Sequence, residues 1–253
     1  MVHLAPLPGS PRAALSIAEI GDAAERDAIA LVEGGASALL IENYGDAPFQ
    51  PHRVSAVTVA AMSVLVSRVV SAAGAVPIGV QVLRNDARSA LAIAVATGAR
   101  FIRVNVFAGL AVAGEGLLRG DAHNVLRLRR ALGADVAVWA DFRAKHAAVV
   151  GERPADVELA ELSGRAGADA IVVSGAATGS APDVAYLESV RRAAPRARLV
   201  LGSGLSGESA AELAPHVDAA IVGTSVKKDG VTTNPVDLAR VRALVDAVAK
   251  ARA

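Results

Sequence analysis

Two short runs late in the chain combine glycine with hydroxyl side chains: Gly202-Ser203-Gly204 and Gly223-Thr224-Ser225, the second followed within a turn by Lys227. Such runs suit an anion. Glycine lets backbone N–H groups come close to a phosphate, and a helix starting directly after the first run would aim its positive end at the ligand. Ser203, Thr224 and Ser225 would add donors, and Lys227 a counter-charge. Glycine also makes tight turns with no ligand in view, so the phosphate reading rests on two glycine-and-hydroxyl runs at consecutive positions.

A second set of residues is ionisable or carries an amide: Glu42, Asn43 and Asp46; Arg84, Asn85 and Asp86; Arg103 and Asn105; Asp141, Lys145 and His146. Glu42 and Asp141 have the chemistry of a general acid or base. Lys145 would be a Schiff-base nucleophile or a phosphate counter-ion, and His146 a proton shuttle. Arg103 and Asn105 join this catalytic set, and Arg103 needs an anionic partner if buried. That partner is either a ligand or a structural ion pair with Glu42 or Asp141. Asn43, Asp46, Arg84, Asn85, Ser174 and Thr178 are expected to contact substrate, whereas Asp86 fits a helix N-cap. Glu42, Asp46 and Asp141 offer oxygen ligands to a divalent cation such as Mg²⁺, but no histidine spacing argues for zinc. No other cofactor is implied.

These residues need a scaffold that brings them to one end. Short Val/Ile-rich runs alternate with longer segments of helical period, which means βα units and a parallel sheet. Strands are expected over 2–4, 37–43, 77–83, 101–105, 136–141, 170–174, 199–202 and 219–223, and helices over 17–33, 52–73, 87–97, 122–132, 156–165, 182–193, 207–213 and 235–250. Eight such units predict one domain over 1–253, a single (β/α)8 TIM barrel whose phosphate-binding loops follow strands seven and eight. A doubly wound sheet is the rival, but no Gly-x-Gly-x-x-Gly follows the first strand. In strand four Phe101, Arg103 and Asn105 share one parity and Ile102, Val104 and Val106 the other, so the polar set should face the barrel interior.

Charge balance is near neutral, 26 basic against 25 acidic residues. That leaves no basic field for nucleic acid or an anionic membrane surface. Cysteine is absent, excluding thiolate catalysis and disulfides. Mean hydropathy is +0.42, yet the uncharged stretch 54–67, between Arg53 and Arg68, has only 14 residues. A spanning helix needs roughly 18 or more, so no transmembrane segment is expected. With no secretory leader, the reading is a cytoplasmic homo-oligomer whose partner is a small phosphorylated metabolite.

Several runs resemble one family: Val-His-Leu-Ala-Pro-Leu-Pro-Gly-Ser-Pro from Val2, Ile-Glu-Asn-Tyr-Gly-Asp-Ala-Pro-Phe from Ile41, Val-Leu-Arg-Asn-Asp-Ala from Val82 and Phe-Ile-Arg-Val-Asn-Val-Phe from Phe101. Lys145-His146, Gly202-Ser203-Gly204 and Val-Gly-Thr-Ser-Val-Lys-Lys-Asp-Gly from Val222 complete the set. In order and over nearly the whole chain, they are similar to the BtpA/SgcQ family. The resemblance implies a barrel related to phosphate-binding enzymes. One branch of the family is named for a thylakoid-associated factor needed for photosystem I to accumulate. Another lies with sugar-phosphate metabolism and carries a nucleoside triphosphatase label, which finds no support in a chain lacking Gly-x-x-x-x-Gly-Lys-[Ser/Thr]. The family supplies no catalytic assignment. Gln81 departs from the Asn common at that position, and strand one has almost no lead-in before Val2, which bears on His3.

Two functions follow as expectations. The first is an isomerase, aldolase or lyase acting on a sugar phosphate or nucleotide-derived phosphate through Lys145, Asp141 and Glu42. The second is a non-catalytic peripheral factor for a membrane complex such as photosystem I, which would need an apolar patch away from the barrel mouth.

Overall fold

The computed structural model describes residues 1–175 and 181–252. Eight strands, β1 (Val2–His3), β2 (Leu39–Glu42), β3 (Ile78–Gln81), β4 (Phe101–Val104), β7 (Ala137–Asp141), β9 (Ala170–Val173), β10 (Leu199–Leu201) and β11 (Ala219–Ala220), form one parallel sheet in that spatial order. Three more, β5 (Leu110–Ala113), β6 (Gly116–Arg119) and β8 (Ala147–Val149), make a small antiparallel sheet ordered β6-β5-β8. The helices between successive long-sheet strands are α1 (Ile17–Glu33), α2 (Ala56–Ala73), α3 (Ala87–Thr97), α4 (Ala122–Ala131), α5 (Ala155–Ala160), α6 (Val184–Ala193) and α7 (Ala210–Leu213), with α8 (Leu238–Ala251) last. The long sheet is curled. Its ends approach each other where the Met1 nitrogen donates to Val222 O at 2.7 Å.

The strands are buried on both faces, as parallel strands covered by helices must be; every residue of β2, β3, β4 and β9 is buried. Side-chain parity divides the apolar residues into two cores. Ile102 and Val104 belong to the larger, between sheet and helices. Phe101 belongs to a second cluster inside the curl, with Leu40, Val172, Val200 and Ile221, and its ring stacks on Trp139 at 4.1 Å. Gly79, paired with Phe101 across the ladder, makes room: a Cβ there would lie 2.2 Å from the ring. This apolar plug fills the lower part of the interior and leaves the upper part to polar side chains.

Caps set where helices begin, and they move several expected starts. Ser55 accepts from Thr58 N, so α2 starts at Ala56 rather than 52. Asp183 and Asp237 cap α6 and α8, placing their first turns after Pro182 and Pro235. Asp86 caps α3 by accepting from Ser89 N at 3.0 Å, as its position suggested. The helix expected over 207–213 is only four residues long and starts at Ala210. The antiparallel sheet was not expected; its strands have three or four residues each and are broken by Gly114 and Gly116, so they read as loop.

Among the described residues α2 is the one helix long and apolar enough to cross a membrane. Its Ala61, Met62, Leu65, Val66 and Val69 are buried in the core, which accounts for that composition.

Candidate functional site

Ladder register gathers the first polar residues. His3 pairs with Glu42 and Glu42 with Gln81, so three side chains of one parity stand abreast at the C-terminal ends of β1, β2 and β3. Arg103 and Asn105 rise above Phe101 on β4 and the segment after it. Arg103 finds its anion inside the protein: Nε and Nη2 donate to the two oxygens of Asp141 at 2.8 and 3.1 Å. Asn105 Nδ2 adds a third bond to Asp141 Oδ2 at 2.7 Å, while Asn105 Oδ1 accepts from Gln81 Nε2 and Arg84 Nη1. Burial works against the Arg103 charge, but the Asp141 carboxylate outweighs it and holds the guanidinium protonated.

That network corrects the expectation for Asp141. Both of its oxygens are engaged and the residue is buried, so it is the counter-ion of Arg103, not a general base. Asp46 is likewise occupied, accepting from Leu7 N and Asn43 Nδ2. Asn43 also takes Leu83 N, and Asn85 clamps Val106 N and O. Asn43, Asp46 and Asn85 therefore shape loops instead of contacting substrate. Nor do Glu42, Asp46 and Asp141 assemble a cation site; among the described residues no three His, Asp or Glu side chains form a metal-binding group.

Glu42 and Lys145 remain available. The Glu42 carboxyl is buried and forms no hydrogen bond or ion pair among the described residues. Burial raises it above the usual carboxylate range, with Arg103 and Lys145 pulling the other way. Lys145 is half-buried; burial lowers its ammonium, and the Arg103 charge adds to the effect. The backbone brackets it with two left-handed residues, Arg143 at φ 53° and His146 at φ 57°. Non-glycine residues rarely adopt that conformation, and a bracket of this kind fixes the direction of the lysine between them. Arg84 Nη2 reinforces it by donating to Lys145 O at 2.5 Å. His146 itself is exposed but still lines the mouth.

The two glycine runs come together at the opposite side of the same opening. Ser225 Oγ donates to Leu205 O at 2.7 Å and ties one loop to the other. Gly202 N is occupied by Val173 O, and the residue is glycine for space, since a Cβ would meet Ser174 Oγ at 2.3 Å. Gly204 adopts φ +86° with the Ala181 backbone against it, which no larger residue tolerates. The amides of Gly204, Leu205, Gly223, Thr224 and Ser225 donate to no protein acceptor among the described residues. Both loops, Glu42, Lys145, Arg84, Arg103 and Asn105 line one cavity of about 300 Å³.

Several expectations for this corner need correction. Lys227 is 1% exposed and pairs with Asp27 at 2.5 Å, so it braces the loop against α1 and faces no ligand. The Ser225 hydroxyl proton is already given to Leu205, and Thr224 Oγ1 shares a bond with Thr232 Oγ1. No helix begins at once after Gly204; α7 starts later and is too short to direct a dipole there. Ser203 keeps its place in the cavity wall. Ser174 Oγ is buried without a partner behind Gly202. Thr178 lies outside the described residues.

Some lining residues were not foreseen. His3 is half-buried, its ring tilted on Tyr44 at 4.8 Å, and its buried Nδ1 has no hydrogen-bond partner. Its pKa is pushed down to about 3, by burial first and then by the Met1 amine and Lys227; it is a neutral imidazole. The signal was its parity with Glu42, hidden because β1 is two residues long. Tyr44, Phe49 and Thr232 also line the cavity.

A curled sheet of eight parallel strands alternating with helices, with ionisable groups at the C-terminal strand ends, defines a TIM-barrel-like α/β protein. The chain belongs to the BtpA family, whose model matches residues 1–250. The Photosystem I biogenesis protein BtpA of Synechocystis sp. is 40% identical over 250 residues, spanning 99% of this chain and 87% of that protein. Among solved structures, thiamine phosphate pyrophosphorylase from Pyrococcus furiosus has a TM-score of 0.59 at 14% identity, covering 90% of this chain and 91% of that one. For 3-hexulose-6-phosphate synthase from Salmonella typhimurium the TM-score is 0.57 at 15% identity, with 94% and 95% covered. At such identities the likeness is one of fold.

Proposed function

We propose that the protein is an enzyme acting on a small phosphorylated metabolite, with the curled sheet working as a closed (β/α)8 barrel. The phosphate sits against the free amides of Gly204, Leu205, Gly223, Thr224 and Ser225. Glu42 and Lys145, across the cavity, carry the proton transfers or carbonyl chemistry of an isomerase, aldolase or lyase. The observation that carries this reading is the Ser225–Leu205 tie, which brings two loops of unused donors to the cavity that holds both shifted groups. The named structural neighbours supply support by analogy, since a phosphate appears in both of their names. Thermal shift tests it: inorganic phosphate or ribose 5-phosphate at about 100 times Kd adds about 2.7 kcal/mol of stability. No shift with any phosphate compound would remove the reading.

A second reading takes its cue from the Synechocystis relative's name and from Val57 and Val64, half-exposed on the outer face of α2 at 53% and 51%. It is a peripheral role at a membrane complex. Co-sedimentation with membranes that is lost in Val57→Glu/Val64→Glu supports it; purely soluble recovery of wild type rejects it.

A further inference from the structure

The chain is poor in aromatic residues: four Phe, two Tyr and one Trp. Phe101, Phe107 and Phe142 are buried, and Trp139 is stacked on Phe101. Tyr44 and Phe49, by contrast, are partly exposed and stand together in the wall of the mouth cavity. They do more than line it. Both also line a second, larger cavity of about 700 Å³ that shares His3 with the first. Its interior is walled by Leu4, Ile20, Ala24 and Val236. The buried cation there, Lys227, is neutralised by Asp27, and the arginines that reach it, Arg12 and Arg26, are exposed. Arg12 and Arg26 stand at its exposed rim, and inside them a largely apolar, ring-lined chamber opens off the mouth past His3, Tyr44 and Phe49.

We propose that the substrate is a sugar phosphate bearing a planar heterocyclic or aromatic ring, whose ring enters this second chamber past Tyr44 and Phe49. The inference rests on the phosphate assignment above and narrows it: a bare sugar phosphate fills only the 300 Å³ mouth and leaves the larger space empty. Stacking on aromatic side chains tolerates many rings, because each presents a π-face. The position of His3 fits the same geometry. Its neutral ring lines both cavities and is tilted on Tyr44, so it adds an aromatic edge at their junction. The ligand then spans the two cavities, and Glu42 and Lys145 line the smaller one across from its phosphate.

The test titrates the purified full chain with ribose 5-phosphate, with the four common ribonucleoside 5′-monophosphates and with the corresponding nucleosides, by calorimetry or thermal shift. At least one monophosphate is expected to bind 10-fold or more tighter than ribose 5-phosphate, in line with stacking. In Tyr44→Leu and Phe49→Leu that advantage disappears, the monophosphate losing 10-fold or more in affinity and ribose 5-phosphate losing less. Those leucine variants keep apolar bulk, and a circular dichroism spectrum matching wild type verifies that they fold. If ribose 5-phosphate binds and no monophosphate exceeds it, the ring chamber is refuted and the phosphate corner stands. If nucleosides bind as tightly as their monophosphates, the corner falls and the chamber stands. No binding by any of them overturns both.

Discussion

Arg103 and Asp141 meet in a two-pronged pair at 2.8 and 3.1 Å, both side chains almost fully buried at 6% and 2% exposure. The pair sits directly above the apolar plug, so the charge at the floor of the mouth is balanced before any ligand arrives. Removing one partner leaves the other buried and uncompensated, which typically costs about 3–5 kcal/mol. Asp141→Ala is therefore expected to lose stability on that scale in urea unfolding, and Arg103→Met/Asp141→Leu to recover most of it. A variant Asp141→Ala as stable as wild type would show the pair to be incidental.

Ser225 is the tie between the anion loops. Ser225→Ala removes one hydrogen bond, a loss of about 1 kcal/mol in stability, yet its larger effect is expected on ligand affinity, because the loops can then separate. Phosphate binding should weaken at least several-fold by titration, with the unfolding midpoint lowered only by about 2–4 °C. Equal phosphate affinity in the variant would mean that the loops hold their spacing without the tie.

Gly223 faces His3, and a Cβ there would stand 2.8 Å from its Cε1. Gly223→Val fills the same space from the phosphate side. Loss of the phosphate-induced thermal shift is expected, with circular dichroism unchanged; retained binding would move the anion elsewhere.

Glu42 should make the protein less stable as pH rises. Its carboxyl is raised in the folded state, so the native protein holds that proton over a window where the unfolded chain has released it. The stabilising effect is complete below the ordinary carboxylate range and is lost as pH climbs through the raised value. Glu42→Gln is thus expected to unfold at higher urea than wild type at pH 7 and to match it near pH 4. If the two differ equally at both pH values, burial is not what raises the group.

Lys145 is tested by trapping. With a carbonyl-bearing substrate identified by binding, borohydride reduction should leave a covalent adduct on Lys145 in wild type. Lys145→Ala should bind and give none. Turnover without an adduct would leave the lysine as a proton carrier.

The sheet's rhythm was legible because four helices end in glycine before an apolar run, at Gly34, Gly98, Gly133 and Gly167, and the inward parity of Phe101, Arg103 and Asn105 followed from simple alternation. Family membership was legible too, from motifs such as the run beginning at Ile41. What remained hidden depended on partners distant in sequence. Lys227 looks like a phosphate ligand until Asp27, 200 residues earlier, takes its charge. Asp141 reads as a base until Asn105 and Arg103 fill its oxygens. Asp46 and Asn43 satisfy each other and nearby backbone, and no spacing rule distinguishes that from substrate binding. His3 was obscured by the brevity of β1.

The small antiparallel sheet stands apart from this fixed floor. Glu115, at the tip of the β5–β6 turn, reaches Arg84 at 3.6 Å, and β8 continues from the segment that presents Lys145. A module attached at the rim can change in length or composition while the eight parallel strands stay as they are. Within this architecture, changes at residues 110–119 would reach the mouth through the contact of Glu115 with Arg84, with the strands beneath left untouched.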